Sequence, residues 1–292
     1  MLTRRRFAAL SAAAAGVALT APRELRAATT RSGLDFGVQI YMVRERLTAQ
    51  PSAEGVAATL RMIHDIGYAS VETYPIVYNR PAKELKSLIE SVGLKAPSGN
   101  FDYDTLDAHV DYAAELGLEY MICPMLARPL WDSLDGFHKA AEHLNKAAAK
   151  AHKAGLKFGY HPHNYEFKRF EGGRGFEVLM RELDPAIKLE LDIYWAVEGG
   201  ENPLELMRKY SHRMALIHIK DRKPVTGFTY SPMDEQAAHF TEAGSGTIDW
   251  KIMLGEARKL GVRQFFVDQD GTDVTVEESL RRNWKFLSQL SV

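Results

Sequence analysis

Short apolar runs alternate with longer amphipathic segments along the chain after residue 35, and this alternation restricts the possible folds more than any other feature. Eight runs have the length and apolar character of strands: Phe36–Tyr41, Ser70–Tyr74, Leu94–Ser98, Tyr120–Pro124, the run that begins at Leu156, Ile187–Asp192, Ala215–Lys220 and Gln264–Asp268. Nearly continuous apolar runs of this length are typical of parallel strands that helices cover. The sequence therefore predicts a parallel sheet.

Eight segments with helical spacing of their apolar residues separate or follow these runs. They are Ala53–Ile66, Pro81–Gly93, Tyr103–Leu116, Leu134–Ala154, Gly175–Leu183, Pro203–Tyr210, Ile248–Leu260 and Glu277–Leu290. Strict alternation of eight strands and eight helices predicts a single (β/α)8 TIM barrel, a fold that typically takes about 250 residues. A doubly wound open sheet is the alternative, but no glycine-rich phosphate loop follows the first strand. The GGRG string, Gly172–Gly175, lacks the Lys-Ser/Thr of such a loop and is predicted to be an ordinary connection.

The first 27 residues have the features of a twin-arginine signal peptide. Thr3, Arg4, Arg5, Arg6 and Phe7 precede an alanine-rich apolar run, residues 8–20, which is too short to span a bilayer. Leu25-Arg26-Ala27 is a suitable cleavage site. We therefore expect the Tat export machinery to deliver a folded barrel domain, residues 33–292, to the periplasm without a stable membrane anchor. A Sec signal or an uncleaved anchor is the alternative.

Charge and cysteine content narrow the classes of partner. The formal net charge is -1 and the pI is about 6.8, so no overall field attracts nucleic acid. The single cysteine, Cys123, excludes an internal disulfide, so stability must come from the core. These features favour a small-molecule partner, and they leave open whether the chain forms a homo-oligomer.

Polar and ionisable side chains stand where the predicted strands end. They are Tyr41, Arg44, Glu72, Tyr74, Ser98, Asn100, His161, His163, Asp192, Tyr194, Trp195, His218, Lys220, Asp268 and Asp270. In a barrel the carboxyl ends of the strands meet at one mouth, where the active site is expected. His161 and His163 lie two residues apart and so share one face of a strand. Imidazole and carboxylate together suit Mn, Fe, Co, Ni or Zn.

Structural explanations compete with each of these assignments. Asp192 is also a good helix N-cap, since Asp is favoured at that position. His218 is equally consistent with a hydrogen-bonded core histidine, and Lys220 with Asp221 could form a solvated pair. Taken together, however, these explanations would leave several ionisable groups at strand ends without partners, and burying unpaired charge is costly.

Several strand-end motifs resemble one known family. GVQIYMVR, GYASVETY, GLKAPSGN, AGLKFGYHPHNYEF, LELDIYWAVEGG, HIKD and FFVDQD are similar to the successive motifs of the sugar phosphate isomerase/epimerase family, the xylose isomerase-like TIM barrels. The resemblance implies that the protein binds one divalent ion. Manganese is the ion expected first, and Co, Zn or Mg are the alternatives. The ion would be held by His161, Asp192, His218 and Asp268.

Two departures from the family pattern bear on the predicted roles. Many members place a glutamate where His161 stands, so Glu166 is an alternative ligand or base. Asp268 is one methylene shorter than the usual glutamate, so it could bind the ion yet be misplaced as a base. The predicted catalytic residues are Glu166, Asp268, His163 and Lys220, with His163 and Lys220 polarising substrate oxygens. The predicted substrate contacts are Tyr41, Arg44, Glu72, Tyr194 and Trp195.

The resemblance implies an enzyme of carbohydrate metabolism that removes a proton beside the carbonyl of a keto-sugar, through a metal-stabilised enediolate. Return of the proton gives epimerisation or isomerisation. A lyase or dehydratase of 3-keto-glycosides would use the same chemistry. Glycosides suit an exported protein better as substrates than phosphorylated sugars do. A non-catalytic periplasmic sugar-binding protein is a second alternative, favoured by the departure at Asp268. A metal-dependent nuclease, as in other members of the family, is a third alternative. The charge balance and the export signal argue against it.

Overall fold

Eight parallel strands close into a barrel in the computed structural model, which describes residues 30–232 and 239–292. The strands are β1 Gly37–Gln39, β2 Ser70–Thr73, β3 Lys95–Asn100, β4 Tyr120–Cys123, β5 Lys157–Tyr160, β6 Lys188–Asp192, β7 Met214–Ile219 and β8 Gln264–Val267. Each strand pairs with the next along the chain, and β1 pairs with β8 through Gly37–Phe266 and Val38–Val267. The predicted (β/α)8 barrel is confirmed. The predicted signal peptide lies outside the described residues.

Ten α-helices lie in the described part of the chain. They are α1 Arg44–Ala49, α2 Ala53–Ile66, α3 Ala82–Ser91, α4 Leu106–Leu116, α5 Leu134–Lys153, α6 Gly175–Glu182, α7 Ile193–Glu198, α8 Pro203–Lys209, α9 Trp250–Lys259 and α10 Val276–Gln289. The eight predicted helices all form, and α1 and α7 are short additions at strand ends. Two small ribbons were also not predicted: Arg169–Phe170 pairs with Gly173–Arg174, and Asp221–Arg222 pairs with Phe240–Thr241.

The longest helix, α5, shows how the sequence produces these elements. The Ser133 hydroxyl accepts a hydrogen bond from the Gly136 N–H and caps the helix start. Residues at helical spacing are buried: Phe137, Ala140, Ala141, Leu144, Ala147, Ala148 and Ala151. Small alanines on this face let the helix approach the barrel closely. The positive charges of the lysines in its last turn interact favourably with the negative end of the helix dipole.

The barrel has an outer and an inner core. Between strands and helices lies a continuous apolar layer, in which full burial of each large side chain contributes roughly 1.5–3 kcal/mol. Inside the barrel Tyr120, Ile122, Leu216 and Phe266 form a separate small cluster. Because strand side chains alternate, the next inward residues after Leu216 are His218 and Lys220. The apolar plug therefore supports a polar layer at the carboxyl ends of the strands.

No helix within the described ranges is both long and apolar enough to cross a membrane.

Candidate metal centre and active site

Three side chains of metal-ligand type converge at the carboxyl ends of β5, β6 and β7. His161, Asp192 and His218 each offer one ligand atom, and these atoms lie within 4.8 Å of one another. All three residues are buried. Asp192 stands beside His218 in the register of β6 and β7, and His161 follows the last residue of β5. The sequence placed these three residues at strand ends, and the barrel brings them together.

Two polar atoms in this cluster form no hydrogen bond among the described residues, Asp192 Oδ2 and His218 Nδ1. Both are buried, and each has a single ion-pair contact at 3.3 Å, from Lys220 Nζ to Asp192 Oδ2 and from Asp268 Oδ2 to His218 Nδ1. Buried polar atoms are normally satisfied, because an unpaired one costs free energy. Burial, together with the charges of His218 and His163, holds the pKa of His161 well below its ordinary value. His161 is therefore neutral, the form in which imidazole binds a metal. Two imidazoles and a carboxylate fit a divalent ion.

Asp192 is also a helix cap. Its Oδ1 accepts a hydrogen bond from the Trp195 N–H at 3.0 Å and so caps α7. The two explanations considered for this residue are therefore compatible, because one oxygen caps the helix and the other faces the cluster. Burial raises the pKa of Asp192 to about 6, against the opposing effects of Lys220 and His218.

Lys220 is surrounded by carboxylates. Its Nζ lies 3.0 Å from Asp268 Oδ2, 2.5 Å from Asp270 Oδ2 and 3.3 Å from Asp192 Oδ2. Burial alone would lower the pKa of Lys220, but these three carboxylates raise it well above its ordinary value. Lys220 is not among the residues that line the cavity described below, and its ammonium group neutralises the three carboxylates. Its predicted contact with substrate oxygens stays a prediction.

The alternative interpretation of Lys220 and Asp221 as a solvated pair is wrong, since both residues are buried. The Asp221 carboxylate instead accepts hydrogen bonds from the Gly244 and Ile248 N–H groups and from the indole of Trp250. Asp221 therefore fastens the loop after β7 to the start of α9.

Asp268, the predicted fourth ligand, lies at the edge of the cluster. Its Oδ2 accepts a hydrogen bond from Lys220 and lies 3.3 Å from His218 Nδ1, but Asp268 is outside the set of three converging ligands. Burial would raise the pKa of Asp268, yet Lys220 and His218 hold it well below its usual range. Such a carboxylate accepts a proton only weakly at neutral pH, and the catalytic role predicted for Asp268 stays a prediction.

His163 has a neutral imidazole with one unpaired nitrogen among the described residues. It lies on the same side as His161, with 4.8 Å between the ring centroids, and its Nδ1 is buried without a hydrogen-bond partner. Burial and the nearby charge of Lys220 lower the pKa of His163 to about 3. The lowered pKa keeps this imidazole neutral, with a nitrogen free to accept a proton, and also makes it a weaker base than an ordinary histidine.

A cavity of about 890 Å³ opens above these residues at the barrel mouth. Of the predicted substrate contacts, Tyr41, Arg44 and Trp195 line it. The Arg44 guanidinium stacks on the Tyr41 ring at 4.0 Å and donates hydrogen bonds to the carbonyl oxygens of Tyr41 and Asp270. Arg44 is thus held in place by the protein itself.

Tyr194 and Glu72 are fully buried and are not among the residues that line the cavity. Their predicted substrate contacts stay predictions. Tyr194 packs edge-on against Trp195, and its hydroxyl accepts a hydrogen bond from the His239 N–H. Glu72 lies deeper in the barrel, where its Oε2 is 2.8 Å from His218 Nε2. Tyr194 thus packs against Trp195, and Glu72 contacts His218, so each of them contacts a residue of the site.

A second group of ligand-type residues also converges in the described chain, formed by Glu72, Glu190 and His218. Glu166, the predicted alternative ligand or base, belongs to neither group. Its Oε1 accepts a hydrogen bond from the Tyr160 hydroxyl at 2.5 Å, and its Oε2 accepts one from the His163 N–H at 3.0 Å. Because Tyr160 points away from the face that carries His161, Glu166 is drawn to the outside of the strand. Burial raises the pKa of Glu166 to about 7.

Glu190 was missed by the sequence reasoning. Its Oε2 lies 3.2 Å from His161 Nδ1 and 3.3 Å from His218 Nε2. Burial and the neighbouring Glu72 carboxylate raise the pKa of Glu190 to about 8. The available signal was its position two residues before Asp192, which puts both side chains on the inner face of β6.

The fold and the site define a (β/α)8 barrel of enzyme type, with a cluster of metal-ligand side chains at the carboxyl ends of its strands. The sequence model of the family described as xylose isomerase-like TIM barrel matches residues 60–268. The chain belongs to this family, which is part of an enzyme superfamily, and the predicted family resemblance is confirmed.

Individual proteins similar to the chain carry several activities in their names. An inosose dehydratase of Clostridium botulinum strain Alaska E43 is 26% identical over 211 residues, which cover 60% of this chain and 68% of that protein. A solved sugar phosphate isomerase/epimerase from Parabacteroides distasonis ATCC 8503 has a TM-score of 0.71 at 24% identity, covering 88% and 94% of the two chains. An IolI protein solved with a zinc atom has a TM-score of 0.67 at 15% identity, covering 86% and 96%. The two structures share the fold of this chain.

Proposed function

We propose that the chain is a divalent-metal-dependent lyase of the dehydratase type, acting on an uncharged polyhydroxylated ketone such as a keto-sugar or keto-glycoside. The observation that carries the proposal is the placement of one neutral, unpaired base, His163, beside the converging His161, Asp192 and His218. A divalent ion held by those three residues would supply Lewis-acid polarisation of the substrate carbonyl. Manganese is the ion we expect first, with Co, Zn or Mg as alternatives.

The protein's own part in the reaction is proton transfer. His163 would take the proton from the carbon beside the carbonyl, and the electron pair left behind would form a carbon–carbon double bond as the C–O bond to the next carbon breaks. The same imidazole would return the proton to the departing oxygen. The products are an unsaturated ketone and either water or the alcohol of a glycoside, so the step needs no oxidant or reductant.

Elimination is favoured over epimerisation because it needs only one base. Epimerisation needs a second acid–base group on the opposite face of the substrate, and the nearby carboxylates Asp268 and Asp270 both form ion pairs with Lys220. The similarity to proteins named inosose dehydratase supports the same choice. The keto-sugar isomerase or epimerase expected from the sequence is the second candidate, and it would have to use Asp268, which lines the cavity.

The alternative of a non-catalytic sugar-binding protein gains little support. Such a protein needs no converging metal ligands, yet His161, Asp192 and His218 converge.

The charges around the cavity favour a neutral substrate. Four aspartates line it, Asp102, Asp104, Asp268 and Asp270, whereas Arg44 is the only arginine or lysine side chain among its lining residues in the described ranges. Even after binding a divalent ion, such a wall would repel a phosphate monoester. We therefore expect unphosphorylated carbohydrates to be the substrates.

Product analysis would test the proposal. The purified protein, loaded with Mn²⁺, is incubated in deuterated water with a panel of neutral keto-sugars, keto-glycosides and inososes, followed by NMR and mass spectrometry. A product lighter by one water or one alcohol supports the lyase. Deuterium exchange without loss of mass would establish the isomerase or epimerase instead, and the absence of both reactions across the panel would contradict the enzyme proposal.

The His163→Asn variant tests the assigned base. We expect kcat to fall by about 10²- to 10⁴-fold while the metal content stays at the wild-type level, since His163 is not one of the converging ligands. The matched control is His152→Asn, because His152 is an exposed histidine on α5. Wild-type kcat in His163→Asn would rule out this residue as the base.

Export to the periplasm by the twin-arginine route is also part of the proposal, and it depends on the sequence around Arg4 and Arg5. Replacing both by lysine should leave the full-length protein in the cytoplasmic fraction. Fractionation of cells that express the two forms measures this, and unchanged periplasmic accumulation of the double variant would contradict the proposed route.

A further inference from the structure

We propose that Glu190 is a positioning residue that orients two of the candidate metal ligands at once. A single carboxylate oxygen of Glu190, Oε2, lies 3.2 Å from His161 Nδ1 and 3.3 Å from His218 Nε2. The inference rests on the metal site proposed above. It adds to that site a buried layer that determines which nitrogen of each imidazole is free.

The contacts of each histidine show how this layer would work. When His161 Nδ1 donates a hydrogen bond to Glu190, the free nitrogen of His161 is Nε2. When His218 Nε2 donates to the carboxylates below it, the remaining nitrogen is Nδ1, whose nearest charged neighbour is Asp268 Oδ2 at 3.3 Å. Carboxylates that accept a hydrogen bond from a ligating imidazole fix its tautomer and ring orientation.

Glu72 has a narrower role than Glu190 in this layer. Its Oε2 lies 2.8 Å from His218 Nε2 and accepts a second hydrogen bond, from Gln39 Nε2 at 3.1 Å. Gln39 in turn donates a hydrogen bond to Asn100 Oδ1 at 2.9 Å. Glu72 therefore supports one histidine and is itself held by a glutamine, whereas Glu190 contacts both histidines.

The position of Glu190 argues that packing alone does not explain it. It lies fully buried on the inner face of β6, where it stands beside Leu216 of the apolar plug in the register of β6 and β7. Burying a carboxylate is unfavourable unless its hydrogen bonds offset the lost hydration. The Glu190 carboxyl group lies close to two ligand-type imidazoles, and orienting them is the role that we assign to it.

Cobalt titration of the Glu190→Gln variant tests the inference. The amide of glutamine is uncharged, so its oxygen accepts hydrogen bonds from the two imidazoles more weakly than a carboxylate oxygen does, and its nitrogen can only donate. We expect the Co²⁺ dissociation constant to rise about 10- to 100-fold and the visible spectrum of the bound Co²⁺ to change. The matched control is Glu72→Gln, for which a smaller rise is expected because Glu190 still contacts both histidines.

The outcomes separate the two proposals. If wild-type protein binds Co²⁺ and Glu190→Gln binds it within two-fold as tightly, with the same spectrum, the positioning role is overturned while the metal site stands. If wild-type protein binds no Co²⁺, the metal site itself fails. If Glu190→Gln does not fold, Glu190→Asp applies the same test, since its carboxylate is one methylene shorter and should not reach both imidazoles. Wild-type affinity in that variant would also overturn the inference.

Discussion

Asp192 shows how one residue at a strand end can serve structure and chemistry together. Its Oδ1 caps α7 through the Trp195 N–H, while its Oδ2 faces His161 and His218. Trp195 itself lines the cavity, so the cap also fixes part of the cavity wall. Substitutions at this position can therefore separate the two functions, because asparagine keeps a capping oxygen and alanine does not.

Asp192→Asn and Asp192→Ala are expected to differ in stability but not in metal loss. Both remove the carboxylate charge, so both should weaken divalent-ion binding at least ten-fold in an isothermal titration. Only Asp192→Ala also loses the cap, which should lower the free energy of unfolding of the metal-free protein by about 0.5–2 kcal/mol more than Asp192→Asn does. Equal unfolding free energies would show that the cap contributes little, and wild-type ion affinity in both would remove Asp192 from the proposed site.

Strand periodicity predicts which ligand-type residues lie close together, but it does not predict how loops and outer packing direct the other side chains. His161, Asp192 and His218 were identified because inward residues at strand ends must converge in a barrel. Tyr194 follows Asp192 within a helical turn, and that turn, which the sequence did not predict, takes its ring away from the cavity. Glu166 lies in a short 3-10 turn, Tyr165–Phe167, whose geometry cannot be read from residue spacing.

At the scale of elements, barrel closure depends on a close approach at β1. A Cβ atom added at Gly37 would lie 2.5 Å from both the Phe266 ring and the Ser70 hydroxyl, on the two neighbouring strands β8 and β2. The absent side chain thus leaves room for Phe266 inside the barrel. Pairing of Gly37 with Phe266 and Ser70 completes the ring of strands.

Gly37→Ala should therefore destabilise the fold, by about 1–3 kcal/mol, because the added methyl overpacks the interior. The matched control is Gly255→Ala in the middle of α9, where an added Cβ meets no atom within 4 Å. There alanine should be neutral or stabilising by up to about 1 kcal/mol, since it favours helix more than glycine does. Equilibrium urea denaturation measures both values, and equal effects of the two substitutions would contradict the packing argument.

The elements themselves were the most predictable part of the molecule. Each predicted strand and helix of the barrel has its counterpart, because long periodic segments carry a strong signal. Differences arose at strand ends, where β1 stops at Gln39 because the side chain of that residue accepts a hydrogen bond from the Tyr41 N–H and turns the chain into a 3-10 helix. The six-residue helices α1 and α7 were missed because so short a segment shows no periodicity.

At the scale of the whole molecule, the barrel mouth concentrates ionisable groups in a buried region, and this links folding to protonation. Burial raises the pKa values of Glu166 to about 7, Asp192 to about 6 and Glu190 to about 8, all above the ordinary values for these carboxyl groups. A carboxyl group with a raised pKa in the folded state binds its proton more tightly there than in the unfolded chain. Its contribution to stability is thus complete at low pH and is lost as the pH rises through the folded-state pKa.

Glu166 allows this linkage to be measured apart from the candidate metal ligands, because it contacts Tyr160 and the His163 backbone rather than the cluster. Its pKa rises from 4.5 to about 7 on folding, so the unfolding free energy of wild-type protein relative to Glu166→Gln should fall by about 3 kcal/mol between pH 4 and pH 8. The glutamine amide does not titrate, so any packing difference adds only a constant offset. Urea denaturation of the metal-free proteins across this range tests the sign, and a difference that is flat or rises with pH would show that Glu166 is not held in its protonated form by burial.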